Sequence, residues 1–118
     1  MLKAIPSLFI KIYVNKKILF KENEFLNIEH LIFNQGPKRV GPFSHVVKAG
    51  GFLFVTGQMP TLPDDPTKLI DGGISNQTHQ VMKNLKTVLM ASNSSLEYVV
   101  FARVYLVNFK DFDEMNTI

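Results

Sequence analysis

The chain contains no cysteine. Disulfides, thiolate metal sites and a cysteine nucleophile are therefore excluded. Histidine is scarce too. His30, His45 and His79 stand apart without ligand-like spacing, so neither a zinc centre nor an intrinsic metal requirement is expected. Arginine occurs only at Arg39 and Arg103. With 13 Lys+Arg against 10 Asp+Glu the net charge is a mild +3, and no basic run is interleaved with aromatics. A nucleic-acid surface is not expected from that pattern. No stretch approaches the ~20 apolar residues of a membrane helix. The apolar run Ile5 to Ile10 is short and soon interrupted by Lys11, a poor signal peptide, and a mitochondrial presequence would be richer in Arg and Ser. A cytoplasmic protein without a membrane partner is the expectation.

What is present suits one globular domain: 118 residues, 46% hydrophobic and 19% charged. A domain of this size buries only about two-thirds of its unfolded surface, so association would help it bury more. The chain divides in two. Residues 1–27 read as an N-terminal extension of unknown role, expected to be dispensable for the fold. Within it, Leu8 to Val14 has high strand propensity. Asn15-Lys16-Lys17 could turn into Ile18-Leu19-Phe20 as a hairpin.

Residues 28–118 carry the sharper pattern. His30 to Phe33 is a short strand, stopped at Gln35-Gly36-Pro37 because Pro cannot donate to a ladder. Phe43 to Lys48 and Phe52 to Gln58 read as a hairpin turning at Ala49-Gly50-Gly51. Pro60, Pro63, Pro66, Gly72 and Gly73 predict an irregular loop over 60–73. Ile74, Thr78, Val81, Leu85, Val88 and Leu89 recur at helical spacing, with Gln77, Gln80, Lys83 and Lys86 assigned to the surface and Asn93 to the helix end. Val99 to Val107 is nearly all apolar, as in a strand buried on both faces, with Arg103 and Tyr105 sharing one face. Asp111 and Glu114 suggest a capping box opening a second helix. Antiparallel hairpins followed by helices give an α+β class.

Three segments resemble one known family. Gly41-Pro42-Phe43-Ser44-His45-Val46-Val47-Lys48-Ala49-Gly50 is similar to its opening GP[YF]S motif. Leu53 to Pro60, with Thr56-Gly57-Gln58, is similar to its strand ending in [ST]-G-Q. Gly73 to Thr78 with Asn84 to Leu89, and Val104-Tyr105-Leu106 with Phe112, Met115 and Asn116, resemble its first helix, fourth strand and second helix. The ordered series, over roughly residues 29–118, resembles the Rid (YjgF-type) family of imine and enamine deaminases.

That resemblance implies a Bacillus chorismate mutase-like mixed sheet with two helices on one face. It implies a homotrimer with clefts between subunits. There, 2-imino and enamine acids are hydrolysed to 2-keto acids and ammonia without metal or organic cofactor. The substrate-binding residues it implies are Phe43, Thr56, Gly57, Gln58 and Asn116. The family's carboxylate-anchoring Arg, on the penultimate strand, and its water-positioning Glu, on the last strand, have no counterpart, as if the chain were C-terminally truncated. No catalytic residue is therefore assigned. Each lining residue also has a plainer reading: Phe43 as packed core, Gly57 as a strand-end bend, Gln58 as a satisfied surface amide, Asn116 as a solvent-facing helical residue. His45 and His79 read as surface or packing histidines rather than bases.

Three functions stay open: an imine deaminase of reduced activity, a non-catalytic module that binds a small ligand or a protein, and an inactive fragment. In the fold implied, the last strand lies between the strand at Phe52 to Gln58 and the strand at Val99 to Val107. Without it, poor stability and self-association are expected from unpaired edges. Alternatively the two edges pair directly, or Leu8 to Val14 fills the gap.

Overall fold

The computed structural model describes residues 6–15 and 27–118. A hairpin at Ile18 to Phe20 lies outside these residues. The main sheet has five strands in the order β2-β3-β4-β1-β7, formed by β1 (Leu8–Asn15), β2 (Glu29–Leu31), β3 (Val46–Ala49), β4 (Phe52–Val55) and β7 (Val99–Leu106). A small second sheet pairs β5 (Thr61–Leu62) with β6 (Asp65–Leu69). Helix α1 (Gly73–Ala91) lies between β6 and β7, and α2 (Phe112–Asn116) follows β7. The α+β class and the Rid-type architecture expected from the motifs are what the fold displays.

The central result concerns β1. It pairs antiparallel with both β4 and β7, so it fills the gap between them. Its register against β7 runs from Leu8 opposite Leu106 to Val14 opposite Val99, with an irregularity at Tyr13/Val14. The alternation of the segment explains the fit. Leu8, Ile10, Ile12 and Val14 are all buried, at 0%, 5%, 2% and 0% exposure. Phe9, Lys11 and Tyr13 take the opposite face of the pleat. The dispensability expected of residues 1–27 therefore fails for Leu8–Asn15, which forms the middle of the sheet. The unpaired inner edges from which instability was argued are not formed either.

Helix α1 covers the inner face. Ile74, Val81, Leu85, Val88 and Leu89 join Leu8, Ile10, Ile12, Val14, Val46, Leu53 and Val55 in one core. No side chain caps its start; Gly72, at φ 103°, turns the chain into it from the left-handed region that glycine enters without strain. Asn93 ends it with φ 55°, as its residue type suggests. Gln77 departs from its surface assignment. It is buried, and its Oε1 accepts the Ser7 N–H at 2.9 Å, which ties the start of β1 to the helix.

Three further expectations are corrected. The 60–73 segment contains the β5–β6 hairpin; Pro66 is tolerated because both strands of a two-stranded sheet are edges. Strand β7 is largely exposed rather than buried on both faces, because it is the sheet edge and α2 is too short to cover it. The capping box at Asp111 is not made; Asn108 accepts the Lys110 N–H instead, at the preceding 3-10 turn.

Burial of four β1 side chains at about 1.5–3 kcal/mol each is comparable to the whole net stability of a domain, about 5–15 kcal/mol. A chain starting at residue 16 should therefore show no cooperative thermal transition by circular dichroism. Ile12→Ala in the full chain should cost about 2–5 kcal/mol in urea unfolding. Unchanged melting of the shortened chain would mean that β1 is not the sheet's middle strand.

Candidate functional site

The Thr56-Gly57-Gln58 segment sits on a bulge. Tyr13 pairs with Phe54, and Ile10 bridges to Gln58. Between those pairs β1 contributes Lys11 and Ile12, while the other side contributes Val55, Thr56 and Gly57. One extra residue bends that strand and re-aims its groups, a device common beside functional sites. Thr56 N–H turns to the His45 carbonyl at 3.0 Å. Gln58 returns to β1 through two backbone bonds with Ile10, of 2.8 and 3.1 Å. Its side chain is buried and donates from Nε2 to the Thr56 carbonyl at 3.0 Å.

Gly57 has a definite reason to be glycine. A β-carbon there would stand inside the ring of Phe9, against Cζ, Cε2 and Cε1. The ring also packs on Tyr105, with centroids 5.4 Å apart. The N-terminal strand thus packs its ring against the glycine of the motif, a contact with no signal in the local sequence.

A small, shallow cleft of about 30 Å³, partly open to solvent, joins Phe43, Thr56, Gly57 and Gln58 with Lys38, Arg39 and His45. Four of the five lining residues expected are thereby brought together. Phe43 is 39% exposed, so it is not packed core. Asn116 does not share this cleft; it lines an apolar cavity with Met82, Leu85, Met115 and Ile118 on the helix side of β1 and β7.

His45 is buried and structural. Its Nδ1 accepts the Phe33 N–H at 3.1 Å, so the proton sits on Nε2, which donates to the Pro37 carbonyl at 2.8 Å. Both ring nitrogens are occupied in pinning the loop that carries Lys38 and Arg39. Asn84 pins the other rim. It is buried and donates to the carbonyls of Met59 and Thr61 at 3.1 and 3.0 Å, while its Oδ1 accepts from Gln80. Sequence reasoning missed Lys38, Phe9 and the role of Asn84, and it read Arg39 as not matching the position of the family's anchoring Arg. The signal for Lys38 and Arg39 was their place just ahead of the opening motif.

No group of three or more acidic, His or Cys side chains that could hold a metal occurs among the described residues. No helix among them is long and apolar enough to cross a membrane.

Gly57→Ala should destabilise the chain by about 1–3 kcal/mol through overpacking against Phe9. Adding Phe9→Ala should recover part of that loss. Strictly additive effects in a double-mutant cycle of urea unfolding would refute the contact. Asn84→Ala, which leaves two carbonyls unsatisfied, should cost about 2–4 kcal/mol in the same measurement.

Known proteins share this pattern. The family model described as Endoribonuclease L-PSP matches residues 33–118. A RutC family protein from Pyrococcus horikoshii is 38% identical over 103 residues, covering 87% of this chain and 71% of its own length. Protein HMF1 of Saccharomyces cerevisiae is 38% identical over 88 residues, 75% of this chain and 67% of that protein. Among solved structures, yeast Mmf1 superposes with a TM-score of 0.71 at 35% identity, covering 77% of this chain and 71% of the yeast chain. RidA from an Antarctic Psychrobacter superposes with a TM-score of 0.62 at 25% identity, covering 75% and 71%. The ordered motifs, the sheet-and-helix architecture and these relatives agree, and the chain belongs to the Endoribonuclease L-PSP family, the Rid and RutC proteins.

Proposed function

We propose that this chain is a cytoplasmic Rid-type protein that takes small 2-imino or 2-oxo carboxylic acids into the cleft at Phe43 and Thr56-Gly57-Gln58. The observation that supports this most is the convergence of those four residues on one cleft. Hydrolysis of such an imine adds a water oxygen to the C=N carbon, and the π pair takes a proton on nitrogen. The C–N bond then breaks, releasing ammonia and leaving the keto acid. The step requires an acceptor for the water's proton. The resemblance assigns that task to a Glu on the strand between β4 and β7. Here β1 holds that place, and it contains no Asp or Glu. Its Lys11 is a donor, not an acceptor. We therefore read the chain as binding these acids while hydrolysing them only at trace rates.

Assembly follows the same reading. Phe9, Tyr13, Phe54, Phe101 and Tyr105 lie together on the sheet face turned away from α1. Tyr13 meets Phe54 edge-on at 5.3 Å and stacks on Phe101 at 5.4 Å. An exposed aromatic surface of this kind marks an interaction face.

The family description also raises ribonuclease activity. The cleft favours a small acid instead: His45, its histidine, has both nitrogens committed to backbone partners.

Keto-acid release from freshly generated 2-iminopropanoate, set against buffer, should be slower than in a relative carrying both groups by about 10²–10³-fold per missing group. Robust turnover would mean that another residue supplies the acceptor.

A further inference from the structure

The chain has two guanidinium groups, and they stand in different settings. Arg103 lies on the open face of β7, over the Phe101 ring and beside the Tyr105 hydroxyl at 3.5 Å. Arg39 lies in the wall of the cleft with Phe43, Thr56, Gly57 and Gln58.

The segment carrying Arg39 is held at three points. His45 Nε2 donates to the Pro37 carbonyl at 2.8 Å. The Lys38 N–H donates to the Pro63 carbonyl at 2.9 Å. Arg39 itself donates from Nη1 to the Phe43 carbonyl at 2.9 Å. That last bond fixes the guanidinium beside the ring of the opening motif. It uses one of five N–H donors, and no other side-chain hydrogen bond of Arg39 is formed among the described residues.

Charge points the same way. Among the described residues the ion pair is Lys48 with Glu29, on β3 and β2. Among the described residues neither Arg39 nor Lys38 has a carboxylate within ion-pair distance. Lys38 contributes to holding the Asp65 carboxyl below its usual range, an effect that comes chiefly from the Thr67 hydrogen bonds. No acidic side chain among the described residues lines the cleft, while Lys38 and Arg39 both do. The site is a cationic wall facing an aromatic ring and a strand bulge, on a pinned loop that loses little freedom when a ligand binds.

We propose that Arg39 is a carboxylate-binding residue of this cleft, a role that the family resemblance gives to an Arg on a strand. The inference rests on the reading of the cleft as a site for small 2-oxo or 2-imino acids, and it names the group that holds them. A planar guanidinium accepts a carboxylate through two parallel N–H···O bonds. The rest of a three- or four-carbon acid would then lie against Phe43, with its 2-oxo or 2-imino group towards Thr56 and Gln58. Lys38 adds attraction at longer range without the fork.

The test uses the full chain and two stable keto acids, pyruvate and 2-oxobutanoate, with pyruvamide as the uncharged counterpart. Binding is followed by chemical-shift titration for the wild type, Arg39→Gln, Arg39→Lys and Lys38→Gln. The wild type should bind the acids and not pyruvamide. Arg39→Gln should weaken the acids by about 10- to 100-fold, the loss of a charge-assisted pair. Arg39→Lys should fall between, because charge remains and the fork does not. Lys38→Gln should change binding by less than about 3-fold, as expected of a screened surface charge. Unchanged spectra away from the cleft show that each variant is folded.

Equal binding by Arg39→Gln and wild type overturns the proposal. So does a larger loss in Lys38→Gln, or no acid binding by the wild type up to about 10 mM. A parallel 2-iminopropanoate assay separates the two readings. Acid binding that depends on Arg39, with no hydrolysis by any variant, keeps the anchor and removes residual deaminase activity. Hydrolysis that Arg39→Gln leaves intact keeps the deaminase reading and removes the anchor.

Discussion

Strands β4 and β7 are parallel to each other with one strand's width between them, because α1 carries the chain from one to the other as a split βαβ unit. Whatever fills that width must pair with both and bury one face under the helix. Segment Leu8–Asn15 meets both conditions. Its even-numbered side chains from Leu8 to Val14 complete the core, and its odd-numbered ones reach the open face. A slip of one residue would put Lys11 under α1 and Ile10 outside, so the register is fixed by the cost of burying an ammonium group. Gln77 adds a directional tie, holding Ser7 where the strand begins. The helix, the two flanking strands and the N-terminal segment are thus one cooperative unit.

Filling the gap supplies a strand and no carboxylate. A middle strand is specified by alternation and hydrogen bonding, which many sequences satisfy. A water-positioning group is specified by one carboxylate at one position, which β1 does not carry. The strand brings its own feature instead, the Phe9 ring laid over Gly57. The motif glycine serves here as the seat of an aromatic ring from a segment outside the family-like pattern.

Much of the architecture was legible because it rests on local periodicity. The α1 face from Ile74 to Leu89, the turn at Gly50-Gly51 and the helix end at Asn93 each follow from residue type and spacing. Phe43 and Thr56-Gly57-Gln58, singled out by their motifs, do converge on one cleft. What stayed hidden depends on partners distant in sequence. Leu8 pairs with Leu106, and nothing near either residue announces the other. Gln77 is polar and looked solvent-facing until Ser7 gave its oxygen a buried donor. Apolar composition along Val99 to Val107 reported what β7 wants covered, not what covers it. Arg39 carried no signal by itself; its meaning comes from the loop that His45 pins against the sheet.

The open face imposes a last constraint on assembly. Lys11 stands directly opposite Arg103 across the β1–β7 pair, so two cations meet in the middle of an aromatic surface. Like charges in that relation are unfavourable, and the neighbouring rings soften the repulsion only partly. Lys11 lies 6.0 Å from the Tyr13 centroid and Arg103 5.7 Å from that of Phe101, both within cation–π range. Covering the aromatics is favourable, whereas drying these two charges without acceptors is costly. A trimer on this face therefore has to gather its aromatic contacts while leaving water, an anion or a partner's acceptors over Lys11 and Arg103. In such a trimer the rings would supply the attraction and the cation pair would limit how closely the sheets approach.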